Sequence, residues 1–239
     1  MLKSNSIGTI EGLEPSAHVI AILAFLENHL NGFVIKYESE YRNISNEIGI
    51  TQKLEMYLNP FLKVDLSTFN LTKEYIEDTS TGQSSKCDLG FYLDGEDMAI
   101  FCIEAKRLPT PESKREKEYV IGHWNSKGKY VCSGGIERFK KDIHGKGLSH
   151  SAIIGYVQKN NFNYWFSLIN GWIGELISNN DQVIVWNNED KLQKQEFAKK
   201  IAKLQSHHKR LSDTITIMHY WIDLRSIKDI VRDRLLNAK

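Results

Sequence analysis

Proline, cysteine and net charge are all scarce in this chain, and each scarcity narrows what it can be. Four prolines occur in 239 residues. They stand at 15, 60, 109 and 111, where they punctuate elements rather than form a proline-rich linker. Three cysteines, Cys87, Cys102 and Cys132, make an odd set without CxxC spacing, which argues against both a disulfide framework and a zinc knuckle. Lys and Arg number 31 against 30 Asp and Glu, for a net charge of +1. No global basic field therefore announces a nucleic-acid partner, and any such surface must be local. Met1–Ser6 lacks the apolar core of a signal peptide, and the longest apolar stretch, around Val19 to Leu26, is too short to span a bilayer. The expectation is a cytoplasmic protein without a membrane partner. No glycine-rich phosphate loop and no GxGxxG occurs, so nucleotide hydrolysis and dinucleotide binding are not expected. No HxxxH or HxH pair suggests zinc, and His207 and His208, adjacent on a strand, would point apart. No local Ser–His–Asp or Cys–His set stands out, although such triads are assembled in space and not in sequence.

What is present is enough apolar residue, 41%, for one packed α/β domain, with no repeat and no interdomain linker. An N-terminal helical part spans about 14–60 and a core about 66–225. Pro15 and Ser16 open a helix whose apolar residues Val19, Ile20, Leu23, Leu26 and Leu30 recur at helical spacing, stopped by Asn31-Gly32. A second helix is expected over Asn46–Leu58, ended by Pro60. Strands are expected over Phe69–Ile76, Cys87–Leu93, Ala99–Lys106 and Ser151–Gln158, with a late strand Ile215–Leu224 and a partner for it at Gln205–Arg210. Helices are expected over the charged run Lys114–Glu118, the short basic stretch Gly135–His144, the tryptophan-rich Phe162–Ile177, the lysine-rich Lys191–Leu204 and the terminal Ser226–Leu236. Ser126–Gly128 reads as a loop. The aromatics of Phe162–Ile177 read as core rather than as a base-stacking surface. The fold class is α/β, a mixed central sheet flanked by helices.

The chemistry-bearing feature is Asp88, sixteen residues before Glu104-Ala105-Lys106, on two runs joined by the turn Asp94-Gly95-Glu96-Asp97. Side chains alternate faces along a strand, so Glu104 and Lys106 share a side. A hairpin register that sets even-numbered residues opposite each other brings Asp88 to face Glu104. A solvated cross-strand ion pair is the bland alternative. The run Ala99–Ile103 is continuously apolar, however, and ionised groups at the end of a buried strand are costly unless paired or metal-bound.

Asp88 followed by Glu104-Ala105-Lys106 after an apolar strand resembles the PD-(D/E)xK nuclease superfamily, the restriction-endonuclease-like fold. The stretch from Asn46 to Asn59 is similar to that family's helix before the core sheet, and Gly134–Lys140 with His144-Gly145 to the helix after the catalytic strand. Ser151–Gln158 is similar to the next core strand. Cys87 stands where the family often has proline. The resemblance implies a Mg²⁺-dependent nuclease, with Mn²⁺ as a substitute, acting on DNA more than RNA. Asp88, Glu104 and Lys106 would be catalytic, and Asp88, Glu104, the Ala105 carbonyl and Glu47 would hold the metal. Lys106 would have its pKa lowered by the metal and by desolvation. Arg107, Arg138, Lys140, Lys141 and His144 are the nearest supply of phosphate contacts. For those on Gly135–His144 a solvated amphipathic helix, with Ile136, Phe139 and Ile143 buried, is the plain alternative. A homodimer or partner subunit, as in bacterial anti-phage or restriction systems, is expected by analogy, as is the alternative of a non-catalytic nucleic-acid-binding or assembly subunit of the same fold.

Overall fold

The computed structural model describes residues 15–76, 85–179, 184–210, 213–226 and 229–231. Ser16 caps the first helix, α1 (Ala17–Lys36), by accepting from the Val19 N–H. The helix runs past the expected stop at Gly32 and continues into a π-turn at Tyr37–Tyr41. Its apolar stripe goes on through Phe33, Val34 and Tyr37, all buried. Gly32 serves as a contact: a Cβ there would lie 2.1 Å from the Tyr57 hydroxyl of the next helix. That helix, α2 (Glu47–Asp65), is capped by Asn46, which accepts from the Gly49 N–H at 2.7 Å. It carries Pro60 inside it rather than ending there, because Leu58 and Leu62, both fully buried, extend the packed face across the proline.

The strands β1 (Phe69–Ile76), β2 (Lys86–Leu93) and β3 (Phe101–Leu108) follow as a meander. A 3-10 turn at Ser113–Tyr119 takes the place of the expected charged helix, and a small hairpin of β4 (His123–Trp124) and β5 (Tyr130–Val131) leads to α3 (Gly135–Lys140). Then come β6 (His150–Val157), α4 (Phe162–Ser178, capped by Asn161), a 3-10 turn at Asn188–Asp190, β7 (Gln193–Phe197), β8 (Ile201–Lys209) and β9 (Thr214–Asp223). Among the described residues of the C-terminal stretch, 229–231 are helical; the rest of the expected helix past 231 lies outside them.

Seven strands form one sheet in the order β1-β2-β3-β6-β9-β8-β7, with β4-β5 apart. The three central strands β3, β6 and β9 run parallel, and the flanking pairs are antiparallel. Every residue of β6 is buried, as a central parallel strand requires. One sheet face packs Ile103, Ala105, Ile154 and Tyr220 against α1 and α2. The other packs Cys102, Ile153, Ile217 and Trp221 against Tyr119, α3 and α4. The molecule is therefore a mixed α/β fold, a seven-stranded sheet between helical layers.

A further expectation is corrected. Lys191–Leu204 is not a helix: it supplies β7 and the start of β8. Residues of β8 are alternately buried and half-buried, so Ala202, Leu204, Ser206 and His208 face inward together. By length and composition Ala17–Tyr41 is able to cross a membrane, unlike the shorter Val19–Leu26 run. Its Ile22, Leu26, Leu30 and Phe33 are instead packed in the core, each contributing about 1.5–3 kcal/mol of burial. Trp165 and Trp172 of α4 are core residues, as read from the sequence.

Candidate active site

The site forms where two paired strands part. β2 and β3 pair through Leu89↔Ile103, Gly90↔Cys102 and Phe91↔Phe101. One step further in this register sets Asp88 across from Glu104. There the backbone ladder gives way to side chains. The Ala105 N–H donates to Asp88 Oδ2 at 2.6 Å, and the Arg107 N–H donates to Glu47 Oε2 at 3.0 Å. Alternate N–H groups on a strand point to the same edge, so these two carboxylates take over the pairing that β2 has left. Glu47 is the first residue of α2, where the helix dipole favours an anion. Gln158 ties the same corner together, accepting from Arg107 Nε at 2.9 Å and donating to the Ser45 carbonyl at 2.9 Å.

Glu104 lies inside this corner, 1% exposed. Its Oε1 accepts from Lys106 Nζ at 2.7 Å and from Arg138 Nη1 at 3.2 Å, and its Oε2 lies 3.2 Å from His144 Nε2. Burial opposes ionisation of Glu104, but Lys106, then His144 and Arg138, outweigh it and hold the carboxyl well below its usual range. Asp88 behaves oppositely. Burial, then the Glu104 charge, push its pKa up to about 8 against the pull of Lys106. Glu47 is raised too, mainly by burial. For Lys106 the sign differs from the sequence expectation. Burial disfavours its ammonium, yet Glu104, Glu47 and Asp88 together raise its pKa.

The structure thus brings together Asp88, Glu104, Ala105, Lys106 and Glu47. Arg138 and His144 join them as partners of Glu104. Lys140 goes elsewhere: its buried ammonium pairs with Asp190 Oδ1 at 2.6 Å and lies over the Trp186 ring at 5.0 Å. His144 is likewise buried. As folded, neither presents a surface cation to phosphate: Lys140 is committed to Asp190 and His144 lies against Glu104. Lys141 is held by Glu137 Oε1 at 2.7 Å, and Arg107 by Gln158; both remain half-buried.

Two residues, Glu118 and Glu137, escaped sequence reading. Glu118 is buried against Arg115 through two 2.8 Å bonds and adds to the charge felt by Glu47. Glu137 is buried and anchors its surroundings. Gly135 packs tightly at the start of α3, where a Cβ would lie 3.0 Å from the Tyr119 carbonyl oxygen. Glu118 belongs to a charge run that reads as a solvated face, and nothing local marks it as inward.

A second polar assembly lies between α3, β8 and β9. His208 Nδ1 meets Asp190 Oδ1 at 2.6 Å, and Ser206 Oγ is 2.6 Å from His208 Nε2 and 2.7 Å from His219 Nε2. His219 Nδ1 is 2.8 Å from the Tyr119 hydroxyl, which accepts from Trp221 Nε1 at 2.9 Å. The Ser206–His208–Asp190 spacing is that of a hydrolytic triad. All three side chains are buried, and the chain of bonds ties β8 and β9 to Asp190 and Tyr119 within the core. His207 points the other way, to Thr216 and Gln205, as adjacent strand residues must.

Compared with known proteins, the chain matches no protein-family model, no curated protein and no solved structure.

The carboxylates suit a hard divalent cation in chemistry, since Asp88 and Glu47 are acids whose charged forms are disfavoured where they stand. Their geometry is not that of a preformed cage. Among the described residues no three His, Cys, Asp or Glu side chains converge as a metal-ligand group, and Glu104 is turned to its three cationic partners.

Proposed function

We propose that this chain is a metal-dependent nuclease that hydrolyses phosphodiester bonds, DNA before RNA, on a restriction-endonuclease-like sheet. The observation that carries the reading is the meeting of Asp88, Glu47, Glu104 and Lys106 at the edge of β3 where β2 has parted from it. Asp88 and Glu47 each commit one oxygen to a backbone N–H, which fixes them while leaving the other outside those bonds. On this reading Mg²⁺ or Mn²⁺ is held by Asp88 and Glu104 with the Ala105 carbonyl and Glu47, and supplies Lewis acidity and a water of lowered pKa. Lys106 stays protonated as the chain stands, which suits it to stabilise charge on the phosphate rather than to accept a proton. Cation binding competes with Lys106, Arg138 and His144 for Glu104.

That competition favours a second reading, a non-catalytic nucleic-acid-binding or assembly subunit in which the Glu104 cluster is purely structural. Purified protein is incubated with plasmid, linear duplex, single strands and RNA, with Mg²⁺ or with EDTA. The nuclease reading expects cleavage that EDTA abolishes and that falls by roughly 100-fold or more in Lys106→Ala, Glu104→Ala and the gentler Asp88→Asn. Circular dichroism checks that the variants fold. Cleavage that survives Glu104→Ala and Lys106→Ala refutes the site. No cleavage of any substrate, with no heat of Mg²⁺ binding by calorimetry, selects the second reading.

A further inference from the structure

The β4–β5 hairpin brings a different set of side chains beside the acidic site. Its sequence from Gly122 to Ser133 contains His123, Trp124, Lys127, Lys129 and Tyr130 and no acidic residue. Four of the five tryptophans, Trp165, Trp172, Trp186 and Trp221, are buried, whereas Trp124 is 67% exposed. A single exposed apolar side chain is ordinary. This one is mounted. Trp124 pairs across the hairpin with Tyr130, edge to face at 5.4 Å between ring centroids. Asn125 Oδ1 closes the turn by accepting from the N–H groups of Lys127 and Lys129, both at 3.0 Å, and both lysines are exposed.

The hairpin is also keyed to the site. Buried Glu137 accepts from the Gly122 N–H at 2.8 Å, the Tyr130 hydroxyl at 2.8 Å and Lys141 Nζ at 2.7 Å. Lys141 lies 5.4 Å over the Tyr130 ring. The next residue on the same helix, Arg138, donates to Glu104. At the hairpin's far end a Cβ on Gly134 would strike the Ile121 backbone, and Gly135 packs toward Lys106. Asp88 and Glu47 repel phosphate when ionised, and Lys106 and Arg138 are committed to Glu104, so further grip on a polyanion comes from outside that corner. An aromatic face with flanking lysines is the chemistry that holds unpaired nucleic acid, because base faces are available for stacking only outside a duplex.

We propose that this hairpin holds an unpaired segment of nucleic acid at the site, one base stacked on Trp124 and adjacent phosphates on Lys127 and Lys129. The proposal deepens the phosphodiesterase reading and rests on it for the fate of the strand. Full-length protein in EDTA is titrated against a labelled single strand and the matching blunt duplex, followed by anisotropy, and cleavage with Mg²⁺ is measured separately. The single strand should bind more tightly than the duplex. Trp124→Ala should weaken single-strand binding roughly tenfold or more, Trp124→Phe should retain most of it, and Lys127→Ala/Lys129→Ala should reduce its salt dependence. Single-strand affinity unchanged in Trp124→Ala, or no binding by the wild type, overturns the proposal. Cleavage by wild type and Trp124→Ala alike, with equal binding, removes the arm and leaves the nuclease reading. Trp124-dependent binding without cleavage does the reverse.

Discussion

Asp88 is an acid held in a setting that prefers it neutral. Burial and the Glu104 charge raise its pKa to about 8, from 3.8 when the chain is open. Between those values the folded state holds a proton that the unfolded state has lost, so this residue's contribution to stability falls as pH rises from about 4 to 8. Asp88→Asn keeps an acceptor for the Ala105 N–H and removes the titration. Discounted for screening by solvent at its partly buried position, the gain should be about 2 kcal/mol at pH 8 and absent near pH 4, read from urea midpoints. If a divalent cation is the natural partner, Mg²⁺ should raise the wild-type melting temperature and leave that of Asp88→Asn unmoved. The grouping of Asp88, Glu104 and Lys106 was legible because the two strands are neighbours in sequence and alternate residues of β3 share a face, with Leu89 paired to Ile103. The partners that close on Glu104 were not, because Arg138 and His144 arrive from a segment far along the chain.

On the scale of elements, α3 shows how tertiary contacts divide a run of like charges. Arg138, Lys140 and Lys141 sit within four residues, and each finds a different acid: Glu104, Asp190 and Glu137. Sequence reading offered them all to phosphate. Lys140→Met tests the division. It leaves the Asp190 carboxylate buried without its ammonium, so stability should drop by about 3–5 kcal/mol in chemical denaturation. A phosphate-binding lysine would instead lose affinity at unchanged stability. β8 carries the same lesson. Lys191–Leu204 is rich in residues that favour helices, yet the exposed edge of β9 accepts a strand there, with pairing from Ile201↔Ile222 to Lys209↔Thr214. Sheet pairing and the burial of alternate residues override weak intrinsic propensity.

For the molecule as a whole, the polar chain between the sheet and α3 sets the response to acid. Burial lowers the pKa of His208 and takes that of His219 well below 6.5, although Asp190 pulls His208 the other way and Lys140 and His207 repel its charge. The folded state therefore excludes protons that the unfolded state binds. Stability from these groups is complete above about pH 6.5 and is lost as the pH falls below it. Because Asp88 contributes the opposite slope in the same range, the test is a comparison: between pH 6.5 and 5 the wild-type midpoint should lose more, or gain less, than that of His219→Gln, which hydrogen-bonds but cannot titrate there. Equal pH slopes in the two proteins would refute the buried-neutral assignment.

Local sequence determined the α/β class, the central strands β1, β2, β3, β6 and β9, and the Asp88–Glu104–Lys106 grouping, because alternation, apolar runs and turn residues act over a few positions. The tertiary structure alone decided that 193–204 is strand and not helix, that α1 and α2 run past their glycine and proline, which cations close on Glu104, and that Trp124 stands in solvent on the hairpin anchored by Glu137. Each of those outcomes depends on which distant surface covers a residue, and burial of that kind is a property of the packed chain.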